Sequence, residues 1–227
     1  MNASTRLRIW DLPTRLFHWL LVVGMVALLV TSKIGGDAMA WHLRLGQGVL
    51  ALLVFRVLWG VVGGYWSRFL TFVPSPQRLL AYLRGQGTVR DEVGHNPLGA
   101  LSVLGMLGII GLQVFTGLLT DDEIFYAGPL TGLVSGDAVA WATTWHKTWG
   151  QWLLLGAIAL HVLALVFYSV VQKKKLVPAM VHGDKEAVPA GVPASRDGWA
   201  QRLLALVVLA VGAGAAWWVW QLGGPGF

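Results

Sequence analysis

The sequence predicts an all-α integral membrane protein, in which a four-helix transmembrane bundle is followed by one additional C-terminal transmembrane helix. Of its 227 residues, 56% are hydrophobic and 12% are charged, whereas about 25% of the residues in a soluble domain are charged. Its mean hydropathy is +0.62. Five apolar runs each approach the roughly 20 residues that a membrane-spanning helix requires. These runs cover residues 16–30, 41–63, 97–119, 145–168 and 203–222.

The first apolar run follows a basic N-terminal segment, residues 1–15. Asp11 and Pro13 are typical of a helix start, because an acidic side chain and a proline both suit the first turn. The run is short for a membrane span unless the helix begins near Trp10. The alternative is a signal peptide that is cleaved after the Ala-Met-Ala sequence at residues 38–40. His18 favours a retained helix, because a histidine is unusual in the apolar part of a signal peptide.

A polar connection, residues 65–96, separates the second and third spans. It contains four arginines and two prolines. The third span follows Asn96, which can cap a helix, and begins with Pro97, which is favoured at the first helical position. Both residues predict a helix start at this point of the chain.

An acidic, loop-like segment at residues 120–142 precedes the fourth span, and three consecutive lysines at residues 173–175 end that span. The predicted four-helix domain therefore covers residues 1–175. Residues 176–201 are predicted to be a cytoplasmic linker, and residues 202–227 an accessory transmembrane helix. A tryptophan cluster near the end of the last span, at residues 217, 218 and 220, suits a membrane interface.

The distribution of cations predicts the orientation of the chain. Nearly all Lys and Arg residues lie in the N-terminal segment, in residues 65–96 and in residues 173–202. Because cytoplasmic loops carry an excess of Lys and Arg, five alternating spans place the N-terminus in the cytoplasm and the C-terminus outside. The net charge of +6 follows from these loop cations, so we expect a lipid bilayer and no nucleic acid as a partner.

The chain has no cysteine, which excludes disulfides, thiolate metal sites, iron–sulfur clusters and covalently attached haem. Any metal or cofactor must therefore be held by His, Met, carboxylate or backbone groups. None of the apolar runs contains Asp or Glu. This argues against a proton pump or transporter, which would need such groups within the membrane.

Four of the six histidines lie in or at the edge of apolar runs. Ionisable groups within the membrane are costly and usually functional. His146 and His161, on the fourth predicted helix, are fifteen residues apart. This spacing gives a rise of about 22 Å and an angular difference of about 60°, so the two side chains share one broad face.

In the predicted orientation, His42 and His146 form an outer pair, and His18 and His161 form an inner pair. Each pair comes from two different helices, which fits bis-imidazole ligation of two haem b groups. The inner histidines match in depth only if the first helix begins near residue 8 rather than residue 15. The predicted cofactor-binding and metal-ligating residues are therefore His18, His42, His146 and His161. For each histidine taken singly, a hydrogen-bonded structural role is the alternative.

Neighbouring residues fit a haem site, although each also has a simpler explanation. Small residues at Gly46, Gly48 and Gly150, one turn after the outer histidines, would let a flat porphyrin approach the backbone; ordinary packing of small residues between membrane helices is the alternative. Three cations could pair with haem propionates or merely set the topology: Arg15, Arg44 and Lys147. His95 and His182 lie in polar cytoplasmic segments and are not expected to be ligands.

Several motifs carry a resemblance to a known family. They are PTRLFHW at residues 13–19, HLRLGQG from His42, FRVLWGVVGG at 55–64, YWSRF at 65–69, GHNPLG at 94–99, WHK at 145–147 and HV at 161–162. In these motifs, over about residues 8–185, the chain resembles the bacterial cytochrome b561 and Ni,Fe-hydrogenase b-type cytochrome family. The resemblance implies a four-helix membrane module that binds haem b and passes electrons between a quinone pool and a redox partner.

The resemblance also implies roles for particular residues. The ligand positions of the family correspond to the same four histidines, and its quinone site would lie near Arg15, His18 and the inner ends of helices 1, 3 and 4. Hydrogenase-type members resemble this chain through PAMVHG at residues 178–183 but end in a polar tail, so the C-terminal span is a departure.

These observations predict an electron-transfer subunit of the bacterial inner membrane rather than a stand-alone oxidoreductase. Its partners would be quinone or quinol and a periplasmic redox protein, either a hydrogenase or a c-type cytochrome, and a homo-oligomer is compatible with this interpretation. One alternative is an enzyme that oxidises a small molecule such as superoxide and reduces quinone. Another is a haem-free membrane scaffold or transporter subunit.

Overall fold

Five helices in the computed structural model are long and apolar enough to cross a membrane, as the sequence predicts. The structure describes residues 6–186, 188–189 and 191–223. The first residues of the predicted N-terminal segment and the last four of the predicted accessory segment lie outside these. The membrane-spanning helices are Leu12–Ile34 (α1), Ala38–Val62 (α2), Pro97–Gly117 (α6), the continuous helix Gly136–Val170, and Trp199–Gln221 (α10). The chain is therefore a multi-pass membrane protein.

The fourth membrane-spanning helix begins earlier than the sequence predicts. It consists of α7 (Gly136–Thr144), one π-helical turn (Trp145–Trp149) and α8 (Gly150–Val170). The side chain of Ser135 accepts a hydrogen bond from the backbone N–H of Ala138 (3.4 Å) and so caps the helix nine residues before the apolar run. The prediction that residues 120–142 form a loop is therefore wrong for residues 136–142.

Two predicted helix starts are confirmed by their hydrogen bonds. The carboxylate of Asp11 accepts from the backbone N–H of Thr14 (2.8 Å) at the start of α1. The side-chain oxygen of Asn96 accepts from the backbone N–H of Gly99 (2.7 Å), and Pro97 is the first residue of α6. Each cap satisfies a backbone donor that has no partner within the helix.

The polar connections contain short elements that the sequence analysis did not identify. Residues 65–96 hold α3 (Phe69–Phe72), α4 (Pro76–Leu83) and α5 (Val89–Val93), together with a 3₁₀ turn at Tyr65–Ser67; a second 3₁₀ turn is at Thr131–Leu133. The predicted linker holds α9 (Leu176–His182) and a strand, β2 (Asp184–Lys185), which pairs antiparallel with β1 (Leu7–Arg8). Strands of two residues are too short to show an alternating pattern in a sequence.

The described chain divides into two compact units. The first comprises the residues up to Phe17, Arg56–Gly105 and Leu160–Val207, and the second comprises His18–Phe55, Met106–Ala159 and the residues from Val208 onward. In the first unit, one hydrophobic cluster contains Ile9, Trp10, Trp66, Val93, Ala179 and Val188. This cluster joins the N-terminal segment to the connection between α2 and α6 and to the segment that follows α8.

A buried carboxylate organises the first unit. Asp11 is fully buried, and it accepts hydrogen bonds from the indole N–H of Trp59 (3.2 Å) and the hydroxyl of Ser67 (2.8 Å) as well as from Thr14. A Cβ at Gly64 would lie 2.2 Å from its Oδ2 atom. Because a buried carboxylate is costly unless it is hydrogen-bonded, these partners fix the start of α1 against the end of α2.

The predicted linker is packed against the rest of the first unit. The Asp197 side chain is only 8% exposed and lies 2.9 Å from Arg8, 3.4 Å from Arg202 and 3.8 Å from Arg15. Ser195 donates its backbone N–H to the carbonyl of Arg8 (2.7 Å). Three guanidinium groups on one carboxylate hold this segment in place, so it is a structured part of the unit.

His95 lies between two aromatic rings in the first unit. Its ring centre is 4.7 Å from that of Trp10 and 4.7 Å from that of Phe72. Burial, together with the positive charges of Arg56 and Lys185, lowers the pKa of His95 to about 3. The neutral imidazole is therefore the form that this packing accepts.

We expect His95 to make the folded protein sensitive to acid. Its pKa is about 3 when folded and 6.5 when unfolded, so between these values the unfolded chain binds more protons and stability falls as pH falls. The slope is at most about 1.4 kcal/mol per pH unit, and it vanishes above pH 6.5. Thermal unfolding from pH 7 to 4 should show a smaller loss for His95→Phe, which keeps an aromatic ring, than for the wild type.

The matched control is His182→Gln, because His182 is exposed at the end of α9. This variant should retain the wild-type pH dependence. Parallel curves for the wild type and His95→Phe would show that His95 does not contribute.

The second unit contains a hydrophobic cluster formed by Val49, Leu53, Ile110 and Leu154. Within this unit, α10 packs closely on α2. A Cβ added at Gly212 would lie 2.6 Å from the backbone oxygen of Ala51, and Gln47 donates a side-chain hydrogen bond to the carbonyl of Ala216 (3.5 Å). Small residues allow such close approach between membrane helices. The C-terminal helix is therefore packed against a helix of the predicted bundle.

The close approach at Gly212 predicts a loss of stability in Gly212→Ala. The new methyl group would meet a backbone oxygen that cannot rotate away, and such overpacking costs about 1–3 kcal/mol. The control is Gly214→Ala, because a Cβ at Gly214 has no heavy atom within 4 Å. Thermal unfolding in detergent should give a lower midpoint for the first variant and an unchanged or higher midpoint for the second. Equal midpoints would contradict the packing of α10 on α2.

Candidate functional site

The structure brings the two predicted outer histidines together in the second unit. The ring centres of His42, from the first turns of α2, and His146, from the π-helical turn, are 6.2 Å apart, and the ring planes make an angle of 87°. Both residues are partly buried. Two imidazoles from different helices therefore lie close together in an edge-to-face arrangement.

His42 is held by the backbone of α1. Its Nδ1 lies 3.0 Å from the carbonyl oxygen of Leu28 and 3.3 Å from the hydroxyl of Thr31. The Thr31 hydroxyl itself donates to the carbonyl of Ala27 (2.8 Å). Because a carbonyl oxygen can only accept a hydrogen bond, Nδ1 carries the proton and donates it to Leu28.

His146 is held by a reciprocal pair of hydrogen bonds with α6. Its Nδ1–H donates to the carbonyl oxygen of Gln113 (2.8 Å), and the side-chain amide of Gln113 donates to the carbonyl of His146 (2.9 Å). The π-helical turn that carries His146 is a rare backbone form that is often found at functional sites. This pair of bonds fixes both the depth and the rotation of the imidazole.

The two hydrogen bonds decide which nitrogen of each ring can bind a metal. With Nδ1 protonated, the lone pair of each neutral imidazole is on Nε2, and a hydrogen bond from the other nitrogen to a carbonyl is the usual support of a ligating histidine. A metal–nitrogen bond of about 2 Å on each side, plus about 1 Å from each nitrogen to its ring centre, places the ring centres about 6 Å apart. The observed ring separation of 6.2 Å is close to this value, so both residues are candidates to bind one metal ion.

The ligand set is suited to a metal held mainly by a non-protein group. Among the residues that the structure describes, no three His, Cys, Asp or Glu side chains converge on one point. Zinc sites use three or four protein ligands, so two imidazoles do not make one. A haem would need only these two protein ligands, because its porphyrin would supply the remaining nitrogens.

The glycines near the outer pair divide into two kinds. A Cβ at Gly46 or Gly48 would have no heavy atom within 4 Å, in agreement with the expectation of open space beside the backbone. At Gly150 the expectation of room for a porphyrin is wrong, since a Cβ there would lie 2.1 Å from the Gln113 side chain and 2.7 Å from Trp145. Gly150 instead allows Gln113 to reach the His146 backbone.

The structure does not test the predicted inner pair. His18 is partly buried and meets Trp19 edge to face, with ring centres 5.1 Å apart. His161 is also partly buried. The two residues fall in different units of the chain, and their pairing stays a prediction.

The three candidate propionate partners differ in their surroundings. Arg15 is already engaged by the carbonyl of Val181 (2.7 Å) and by Asp197, which weakens the hypothesis that it pairs with a propionate. Arg44 lies with its guanidinium 5.4 Å from the ring centre of Trp41, and it is exposed. Lys147 is also exposed.

Two residues that contact His146 were missed by the sequence analysis. One is Gln113, the single amide side chain of α6, whose position within an apolar run was the available signal. The other is Gly117, where an added Cβ would lie 2.8 Å from Cε1 of His146. Nothing in the sequence separates Gly117 from the other glycines of α6.

Comparison with known proteins decides the family. A family described as prokaryotic cytochrome b561 matches residues 9–183, which include all four candidate histidines. The chain belongs to the prokaryotic cytochrome b561 family. It is thus a b-type cytochrome of the membrane, a class that carries haem b and takes part in electron transport. The matched residues include all of α1, the helix for which a cleaved signal peptide is the alternative.

Curated relatives agree with this assignment. The chain is 29% identical to a probable Ni/Fe-hydrogenase B-type cytochrome subunit of Azotobacter vinelandii, over 81% of this chain and 90% of that protein. It is 24% identical to the probable Ni/Fe-hydrogenase 1 B-type cytochrome subunit of Escherichia coli, over 77% and 88% of the two chains. A third relative, from Cupriavidus necator, is 24% identical over 77% and 85%. No solved structure matches the chain significantly.

The contact between Gly117 and His146 predicts that Gly117→Ala disturbs the outer imidazole. The ring is held at Nδ1 by Gln113 and cannot turn away without losing that bond, so the methyl group must tilt it at a cost of about 1–3 kcal/mol. We expect an altered spectrum or a lower haem content in the purified variant. Gly156→Ala is the control, because Gly156 lies on α8, is exposed and has no atom within 4 Å of an added Cβ. Identical spectra for both variants would contradict the proposed contact.

Proposed function

We propose that this chain is a di-haem cytochrome b of the bacterial inner membrane that transfers electrons between a periplasmic redox protein and the quinone pool. His42 and His146 would hold the outer haem, and His18 and His161 the inner one. The observation that carries the proposal is the outer pair: two neutral imidazoles with ring centres 6.2 Å apart, each anchored at Nδ1 by a backbone carbonyl.

The residues around the outer pair suit an electron-transfer site. Bound haem b would supply the one-electron chemistry of its iron. The protein supplies orientation, because the carbonyls of Leu28 and Gln113 hold both imidazoles in one tautomer and one rotation. Hydrogen bonds of this kind also make the ligand more basic. Rings fixed in this way would move little when the charge at the site changes.

The distribution of charge supports the proposed sidedness. The cation-rich segments, which include the connection between α2 and α6 and the segment after α8, would face the cytoplasm. The connection between α6 and α7 carries Asp121, Asp122 and Glu123 without Lys or Arg and would face the periplasm. In this orientation the N-terminus is cytoplasmic and the C-terminus periplasmic.

The names of the relatives support a hydrogenase as the periplasmic partner, since they are probable Ni/Fe-hydrogenase cytochrome subunits. A c-type cytochrome is the other partner that the sequence predicts. The quinone site is proposed near His18 and Arg15 by resemblance to the family. A haem-free scaffold would be at odds with membership of a b-type cytochrome family, and no contact among the described residues of the second unit specifically favours superoxide as a substrate.

The proposal predicts separable haem centres. A reduced-minus-oxidised spectrum of the purified protein should show a b-type α band. We expect His42→Ala and His146→Ala each to remove about half of the bound haem, and His18→Ala and His161→Ala to remove the other half, because each haem loses one of its two protein ligands. Pyridine haemochrome analysis per mole of protein measures this.

His182→Ala is the matched control, because His182 is exposed and is not a predicted ligand; it should retain the full haem content. Circular dichroism and gel filtration would show whether each variant is folded. A folded His146→Ala variant with full haem content, or with none, would overturn the assignment of the two pairs.

A further inference from the structure

The connection between α6 and α7 forms a short, ordered hairpin at residues 120–128, here called the acidic hairpin. Asp121 and Ala127 form an antiparallel bridge. Gly128 donates its backbone N–H to the carbonyl of Thr120 (2.7 Å), and Asp122 donates its own to the carbonyl of Tyr126 (3.1 Å). These bonds close the loop across its base.

Two carboxylates also hold the loop from inside. One oxygen of Asp122 accepts hydrogen bonds from the backbone N–H groups of Tyr126 (2.8 Å), Phe125 (2.9 Å) and Ile124 (3.0 Å). Asp121 accepts from Glu123 (2.7 Å), which has a left-handed φ of 59°. The hydrogen bonds from Tyr126 and Ile124 lower the pKa of Asp122, so its charge persists to lower pH than in a free side chain. The acidic hairpin is therefore preorganised and charged.

This rigid loop exposes two large apolar side chains at its tip. Ile124 is 73% exposed and Phe125 is 86% exposed. A hydrogen-bonded backbone at the tip lowers the cost of ordering it on binding, and aromatic side chains are common anchors at protein interfaces. An exposed apolar pair beside three carboxylates is thus typical of an interaction site.

The base of the hairpin adjoins the outer histidine pair. A Cβ at Gly128 would lie 2.3 Å from the backbone oxygen of Leu118, and one at Gly117 would lie 2.8 Å from the His146 ring. The hairpin is thus built directly on the end of α6 that packs against the imidazole. A partner seated on its tip would stand close to this redox site.

Charge selects the kind of partner. Three consecutive carboxylates, Asp121, Asp122 and Glu123, precede the tip. The neighbouring cations are Lys147, whose charge acts on Asp122, and Arg44, which lines a cavity of about 580 Å³ together with Asp121, Glu123, Tyr126 and Trp220. Ile124 and Phe125 line the same cavity as Arg44, but three carboxylates stand against the two cations Arg44 and Lys147, so the surroundings of the tip are acidic on balance. Carboxylates beside Ile124 and Phe125 also disfavour insertion of the tip among anionic lipids.

We propose that the acidic hairpin is the docking site for the electron-exchange partner, a membrane-extrinsic redox protein that presents an apolar centre surrounded by Lys or Arg. Ile124 and Phe125 enter the apolar centre, and the carboxylates pair with the basic rim. The inference rests on the proposed function and adds to it the surface and the chemistry of the partner. One electron passes between the docked proteins, and no bond is formed or broken.

The test uses mitochondrial cytochrome c, a basic one-electron haem protein, as the probe. Purified holoprotein in nanodiscs is reduced, and its oxidation by ferric cytochrome c is followed by stopped-flow absorbance. We expect the double variant Ile124→Ser/Phe125→Ser to lower the second-order rate constant at least tenfold. The control Leu133→Ser changes an exposed leucine (62%) of the same connection and should stay within twofold of the wild type.

A second arm isolates the charge. Glu123→Gln should lower the rate constant severalfold at low ionic strength and have little effect at 0.5 M salt, because salt screens charges on the surface. Asp137→Asn, an exposed acid at the start of α7, is its control. Rates that do not depend on Glu123, or a tip variant that exchanges electrons as fast as the wild type, would overturn the docking site.

A third arm distinguishes protein docking from lipid contact without using electron transfer. Because the chain has no cysteine, Ile124→Cys can be labelled at one position with a nitroxide. Accessibility to a water-soluble nickel chelate supports the proposal, and preferential accessibility to oxygen in the bilayer overturns it. All hairpin variants should keep the wild-type haem spectrum, so a failed docking test is distinct from a failed haem assignment.

Discussion

Polar groups within a membrane must find their partners inside the protein, because the hydrocarbon core offers no water. The second unit meets this requirement with backbone carbonyls. The imidazoles of His42 and His146 donate to Leu28 and Gln113, and the hydroxyl of Thr31 donates to Ala27. The same bonds that satisfy the imidazole N–H groups leave the lone pair of each ring on Nε2. One interaction thus offsets the cost of burying each histidine and sets the orientation of its ring.

The first unit has its polar clusters outside the spans, and these are organised by buried carboxylates. Asp11 gathers three donors around one buried side chain, and Asp197 gathers three arginines. Each carboxylate joins parts of the chain that are far apart in sequence, such as Arg8 and Arg202. A segment that was expected to be a linker is therefore ordered, and the C-terminal helix starts from a fixed point. Its packing through Gly212 onto α2 makes this helix part of the fold rather than a loose anchor.

The end of α6 connects the candidate redox site to the surface. Gly117 meets the His146 ring, and Gly128 folds the acidic hairpin back onto Leu118. Gly117, which contacts the imidazole, and Gly128, which closes the hairpin, are thus eleven positions apart in the sequence. A short and well-anchored path of this kind is what an electron-transfer protein needs, because its partner must approach closely without entering the membrane.

The sequence by itself determined the five membrane spans, the caps at Asp11 and Asn96, the family, and the candidate histidines, because apolar runs, capping residues and intramembrane histidines are local signals. Only the tertiary structure decided that His42 faces His146, that Gln113 supports the ring and that Gly150 makes room for Gln113. It also decided the earlier start of the fourth helix and the strand pair between Leu7–Arg8 and Asp184–Lys185. Each of these depends on contacts between residues distant in the chain, which no local pattern records.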